Sequence, residues 1–340
     1  METLSMNMDE IQYCPGSLAE GFQTYSPSVL RRMFKGKRVS HILPFDSPDA
    51  SEETMTLFLE NRKRISISGV QEKISFLLDN DSLRPTKLEE QGAYILKPVP
   101  RDLMQVELVP ANEHLTMQIA SQVYGIQTAE NVMLFFRNGK PAYITRRFDV
   151  KNDGSKWGKE DFATLAGKSP DTAGPDFKYT GSYEEAAEII RNYVAAWRID
   201  MERYFEIIVF NYLFSNGDAH LKNFSLLEAA SGEYRLSPAY DLINTNMHVN
   251  DTPFALDKGL FADNFGSDYF SRTHQRGWDD FLELGNRIGI TDNRAVKMLE
   301  KFGEKKPGME ILIQHSFLSS KGKRAFLQHF QTRRNKFISK

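Results

Sequence analysis

Cysteine is almost absent from this chain: Cys14 is the single one in 340 residues. A lone thiol closes no intrachain disulfide, and without a cysteine cluster a structural metal site of that kind is excluded, which favours a reducing compartment. Long apolar runs are missing as well; none reaches the roughly 18 residues that a membrane-spanning helix needs. The first ten residues carry Glu2, Asp9 and Glu10, where a secretory signal would place basic residues followed by an apolar run. Excess charge of either sign is lacking, since 43 Lys and Arg against 45 Asp and Glu leave a formal net charge of −2. Such a balance gives no long-range attraction to DNA or to an acidic membrane. The expectation is a cytoplasmic protein that binds neither DNA nor membrane directly.

Hydrophobic residues make up 41% of the chain and charged residues 26%, an ordinary globular balance. At roughly 100–200 residues per domain, the length predicts two domains or lobes. Short strand-like runs are expected at Ile65 to Val70, Lys73 to Leu78, Ala93 to Lys97, Val132 to Phe136 and Tyr143 to Phe148. Asn138-Gly139 between the last two is a strong hairpin signal. A helix is expected over Ala111 to Tyr124, with Pro110 at its start and Gly125 past its end. A further helical pattern covers Asp49 to Arg62. Residues 1–150 therefore read as a small α+β lobe. From 151 to 340 the texture turns helical, with patterns at Glu184 to Trp197, Met201 to Phe214, Trp278 to Ile288, Asn293 to Phe302 and Arg324 to Lys336. One hairpin interrupts them, Phe224 to Leu227 and Glu233 to Leu236. The fold class expected is α+β, two-lobed and protein-kinase-like.

The densest polar cluster, Ser215-Asn216-Gly217-Asp218-Ala219-His220-Leu221-Lys222-Asn223, follows the apolar helix, with Gly217 read as its stop. Asp, four residues, Asn is the spacing of the protein-kinase catalytic loop, whose Asp accepts the proton of the attacking hydroxyl and whose Asn binds magnesium. Asp241, ending Ser237-Pro238-Ala239-Tyr240-Asp241 beyond the hairpin, stands where a kinase keeps its second metal ligand. One carboxylate, one amide oxygen and ATP phosphates suffice for Mg²⁺. His220 either braces the loop or contacts phosphate, and Lys222 is a further candidate for the nucleotide. In the first lobe, Lys97 ends an apolar strand as a phosphate-pairing lysine would, with Glu113 on the next helix as its partner. Ser66, Ile67, Ser68, Gly69 and Val70 form the expected phosphate-covering turn, although one glycine matches G-x-G-x-x-G poorly. Thr145, Arg147 and Phe148 form the expected adenine hinge.

These blocks together, Ser66 to Lys73, Ile95 to Pro98, Val109 to Ile119, Arg146-Arg147-Phe148-Asp149, Asn216 to Ser225 and Ser237 to Ile243, resemble the HipA family of bacterial serine/threonine kinase toxins over about residues 60 to 330. The resemblance implies Asp218 as catalytic base, Asn223 and Asp241 as magnesium ligands, Lys97 as ATP phosphate ligand, and autophosphorylation at Ser66 and Ser68. It implies an aminoacyl-tRNA synthetase as substrate class. Only about 60 residues precede the phosphate loop, as in the short HipT type, in which a separate small protein supplies the missing N-terminal subdomain. Small antitoxin proteins, one supplying that subdomain and one binding DNA, are the partners so implied. Arg146 departs from the acidic hinge residue of the longer proteins and leaves nucleotide preference open. Asp161-Phe162 and Lys178-Tyr179-Thr180 match family positions to which the sequence assigns no role. Two other readings stay open, a small-molecule phosphotransferase of the aminoglycoside or choline kinase type and a catalytically idle partner of a repressor. The last 20 residues hold seven Lys or Arg and no acid, and read as a terminal helix with Phe326 and Phe330 inward. On that reading, deleting Arg333 to Lys340 costs little catalysis on a peptide.

Overall fold

The computed structural model describes residues 11–50, 72–101 and 103–339. The expected phosphate-covering turn Ser66 to Val70 and most of the expected helix Asp49 to Arg62 lie outside them. The described residues form two compact units. One comprises the residues up to Ile119, with Ala129–Ser155 and Gly308–Lys323; the other comprises Ala120–Thr128, Lys156–Pro307 and Arg324–Lys340.

The first unit is built on a five-stranded antiparallel sheet in the order β2-β1-β3-β5-β4, with β1 Ile74–Asp79, β2 Ser82–Pro85, β3 Tyr94–Pro98, β4 Asn131–Phe135 and β5 Pro141–Arg146. The β4–β5 hairpin turns where Asn138-Gly139 predicts, with Gly139 at φ 81° supplying the left-handed residue of the turn. One face packs around Ile74, Phe76, Leu96, Val132, Leu134 and Ile144, all buried. Helix Pro27–Phe34, capped by Ser26 and started by proline, adds Val29, Met33 and Phe34 to this core. Helix Val109–Gln122 follows β3, and nearly every side chain in its first three turns is buried, including Asn112, Glu113 and His114.

The second unit is mainly helical. Its central helix, Trp197–Leu213, buries residues all round its circumference, from Met201 and Tyr204 to Tyr212 and Leu213. Helix Tyr183–Tyr193 packs beside it, opened by a Ser182–Glu185 capping box. The sequence places this helix through to Trp197. The β-branched Val194 instead adopts extended backbone, so the helix ends early and the next begins at Trp197. Three short strands form a separate antiparallel sheet, β6 Lys159–Asp161, β7 Ser225–Glu228 and β8 Tyr234–Leu236, in that order. Helices Trp278–Arg287, Asp292–Gly303 and Ser320–Ile338 complete the framework.

One expectation needs correcting. Gly217 is not the left-handed helix stop: Ser215 takes that conformation at φ 54°. Gly217 is needed for space, because a Cβ there would meet Asp251 Cγ at 2.4 Å and the Thr252 carbonyl at 2.5 Å. The terminal helix buries more than its two expected phenylalanines. Phe326 and Phe330 are buried as expected, but so are Phe337, against Trp278 and Phe281, and Arg333, stacked over Tyr212.

Candidate active site

In the second unit the loop after helix Trp197–Leu213 is fastened at both ends. The Asn216 amide nitrogen donates to Asn211 Oδ1 at 2.9 Å. The Gly217 N–H donates to Thr245 Oγ1 at 2.9 Å, and Thr245 returns its own N–H and hydroxyl to the Ser215 carbonyl, each at 3.0 Å. The segment after Asp241 is therefore laced to the segment before Asp218, which is how residues 23 apart in sequence come to share one site. Asp218 itself is half exposed, its side chain 51% accessible, as a group acting on an incoming molecule must be. Its Oδ1 accepts the Tyr179 hydroxyl at 2.9 Å and stands 3.9 Å from His220 Nε2. His220 is buried, and its ring meets Tyr179 edge-on at 5.2 Å.

Asn223 ends the short turn Leu221–Asn223, and its Oδ1 is buried without a hydrogen-bond partner. An amide oxygen in that position is costly unless something electropositive serves it. It lines a small cavity, about 10 Å³ and room for roughly one water-sized group, together with Asn211, Asn216, Tyr240 and Asp241. Asp241 sits at φ 57°, a left-handed conformation that non-glycine residues adopt at a cost and that clusters at functional sites. A buried unserved amide oxygen and a carboxylate on one small cavity fit a hard, oxygen-ligated cation. Tyr240 ties the two segments that carry Asn223 and Asp241: its hydroxyl donates to the Lys222 carbonyl at 2.9 Å and receives Ser225 Oγ. Lys222 is held by Asp161 at 2.6 Å, and Asp161 also caps the turn Phe162–Leu165 through Thr164 N–H. Burial alone would raise the Asp161 carboxyl, but the Lys222 and Thr164 hydrogen bonds bring it below the usual carboxylate range.

In the first unit Lys97 is 3% exposed, not an exposed strand end, and its Nζ pairs with Glu113 Oε1 at 2.5 Å. The ammonium also lies 5.4 Å from the Tyr143 ring centre. A buried lysine fixed by a helical glutamate is the kinase arrangement. Of the expected hinge residues, Thr145 Oγ1 donates to the Glu130 carbonyl at 3.1 Å, Arg147 donates its backbone N–H to Ala93 and pairs with Asp149 at 2.6 Å, and Phe148 follows β5 half-buried. Arg146 donates to the Arg32 carbonyl at 2.8 Å. The structure thus gathers Asp218, His220, Lys222, Asn223 and Asp241 in one unit and Lys97, Glu113, Thr145, Arg147 and Phe148 in the other. Ser66, Ile67, Ser68, Gly69 and Val70 are outside the described residues. Sequence reasoning gave no role to Tyr179, Asp161 and Tyr240, whose value lies in contacts across 18 to 61 residues of chain.

The fold is an α+β kinase-like one. More particularly, a family model described as the HipA-like C-terminal domain matches residues 65–308, and the chain belongs to that family. A protein of Haemophilus influenzae named "Putative kinase" is 27% identical over 328 residues, 92% of either chain. Another of Sinorhizobium fredii, "Putative kinase Y4mE", is 28% identical over 71% of this chain and 56% of its own length. Among solved structures, HipA of Shewanella oneidensis MR-1, determined with HipB and operator DNA, shares the fold with a TM-score of 0.61 at 20% identity, over 80% of this chain and 63% of that one. Among the described residues no helix is long and apolar enough to cross a membrane.

Proposed function

We propose that the protein is an ATP- and magnesium-dependent serine/threonine protein kinase, the toxin of a toxin–antitoxin system. The observation that carries this is the unserved Asn223 oxygen, in a residue that lines one small cavity with Asp241, together with a braced, half-exposed Asp218 on the loop leading to Asn223. In this reading Asp218 orients an acceptor hydroxyl and takes its proton as the hydroxyl oxygen bonds to the γ-phosphorus, while the bond to the β-phosphate oxygen breaks and ADP leaves. Asn223 and Asp241 hold magnesium, which neutralises phosphate charge when bound. Lys97, fixed by Glu113, binds ATP phosphates, and backbone groups near Thr145, Arg147 and Phe148 receive adenine. Ser66 and Ser68 are the sites of self-limiting autophosphorylation.

Family membership and the kinase names of the relatives support phosphotransfer, and the HipB and DNA bound by the Shewanella protein support antitoxin partners of that kind, one of them DNA-binding. A translation component such as an aminoacyl-tRNA synthetase as substrate completes the reading. The test incubates the full chain with γ-labelled ATP and magnesium in a cell lysate and, separately, with aminoglycosides and choline. Labelled protein bands, absent with Asp218→Ala and accompanied by phosphate on Ser66 or Ser68, are expected. Label on the small alcohols alone would replace the reading with a small-molecule phosphotransferase, and no ATP binding in calorimetry would leave an idle partner.

A further inference from the structure

Tyr179 is brought to Asp218 from a short turn, Phe177–Tyr179, 39 residues away in sequence. That turn is anchored independently of the loop it serves. The Tyr179 carbonyl accepts Asp257 N–H at 2.8 Å, Gly181 N–H donates to Asp257 Oδ1 at 2.7 Å, and Lys168 Nζ donates to the Thr180 carbonyl at 2.7 Å. The phenol therefore reaches Asp218 from a fixed point. We propose that Tyr179 is the positioning residue of the acceptor-activating carboxylate, fixing the orientation of Asp218 and keeping it ionised. This rests on Asp218 being the base of the reaction.

A hydrogen bond donated to a carboxylate stabilises its charged form over its protonated form. Tyr179 remains a donor throughout the working range, since burial raises the phenol first and the carboxylates of Asp218, Asp251 and Asp176 raise it further. Other groups face the pair. Lys178 Nζ lies 4.8 Å from the Tyr179 ring centre, and His220 adds an attraction to Asp218 only when protonated. Tyr183, behind the loop, directs its hydroxyl to the Ala219 carbonyl. Tyr179 is thus a neutral donor whose effect on Asp218 does not itself titrate, whereas that of His220 does. A proton acceptor held in one orientation is also ready for an incoming hydroxyl without first reorganising.

The experiment follows the Asp218 carboxyl directly, by NMR titration of the full chain labelled at the aspartate carboxyl carbons, free of magnesium and nucleotide. The signal is assigned by its loss in Asp218→Asn. In Tyr179→Phe the Asp218 midpoint is expected to rise by about 0.5–1 pH unit. With 3-fluorotyrosine at position 179, nearly isosteric and a stronger donor, it should fall. Phosphate transfer to casein should drop about tenfold in kcat in Tyr179→Phe, with ATP affinity within about twofold of wild type. A midpoint unmoved by both replacements overturns the role of Tyr179, even if stability changes, because a packing role alone would not move it. Undiminished transfer by Asp218→Asn would instead overturn the assignment of the base, and the two failures are told apart by which protein shows them.

Discussion

At the scale of single residues, the candidate site depends on a few groups whose removal has different consequences. Asp218 projects from a braced loop and packs in no core, so Asp218→Ala should keep the fold and lower transfer by about 10²–10⁴-fold, measured against an unchanged melting curve. Tyr240 acts on geometry. Its hydroxyl joins the Lys222 carbonyl, next to Asn223, to the residue preceding Asp241. Tyr240→Phe should loosen the two candidate ligands relative to each other by about 1 kcal/mol, read as a roughly fivefold rise in the magnesium concentration for half-maximal activity. Gly217→Ala drives a methyl into Asp251 and the Thr252 carbonyl, and backbone is the part that cannot swing away. The loop carrying Asp218 has to move, so transfer should fall well before thermal stability does, and equal losses of both would contradict this account.

At the scale of elements, the chemistry is carried by short irregular pieces held between long regular ones. Helix Trp197–Leu213 is buried all round over its last two turns, Ile207 to Leu213, where only Asn211 is polar, and its end sets where the Asp218 loop begins. The C-terminal helix Ser320–Ile338 belongs to the same packing. Phe330 stacks toward Phe214, Phe337 wedges against Trp278 and Phe281, and Arg334 donates to the Gly303 carbonyl. Phe337→Ala should therefore cost about 3–5 kcal/mol in urea unfolding, and truncation after Thr332 should cost more, since it also removes Arg333. A loss below about 1 kcal/mol would contradict this packing role.

At the scale of the whole molecule, one buried histidine sets an acid arm on stability. His114, in helix Val109–Gln122, is fully buried, with Nε2 3.1 Å from the Gly16 carbonyl. Burial pushes its imidazole down to about 4, the Gly16 hydrogen bond acting in the opposite sense. The unfolded chain, with an ordinary value near 6.5, binds the proton more readily than the folded one. Its contribution is thus complete above about pH 6.5 and is lost as pH falls toward about 4, amounting to roughly 3 kcal/mol over that window. Denaturation at a series of pH values should show that slope, and His114→Gln should flatten it whatever it does to stability at neutral pH.

What the sequence determined by itself was whatever is written locally or in fixed spacing. The Asn138-Gly139 turn, the apolar period of the long helices, the Asp218 to Asn223 interval and the Lys97 strand end were all legible, because turn chemistry, helical periodicity and motif spacing act over a few residues. Glu113 was a candidate from helix position alone, and folding placed it 2.5 Å from Lys97. Tertiary structure alone decided that Tyr179 serves Asp218, that Asp161 holds Lys222, that Tyr240 ties the two candidate metal ligands, and that Gly217 yields space to Asp251. It also buried Phe337 and Arg333 beside the phenylalanines that periodicity already turned inward. These are pairings between groups far apart in the chain. Hydrogen bonds and close packing depend on distances of a few ångströms that no local pattern encodes, and they form only when the helices and sheets have already fixed where each segment lies.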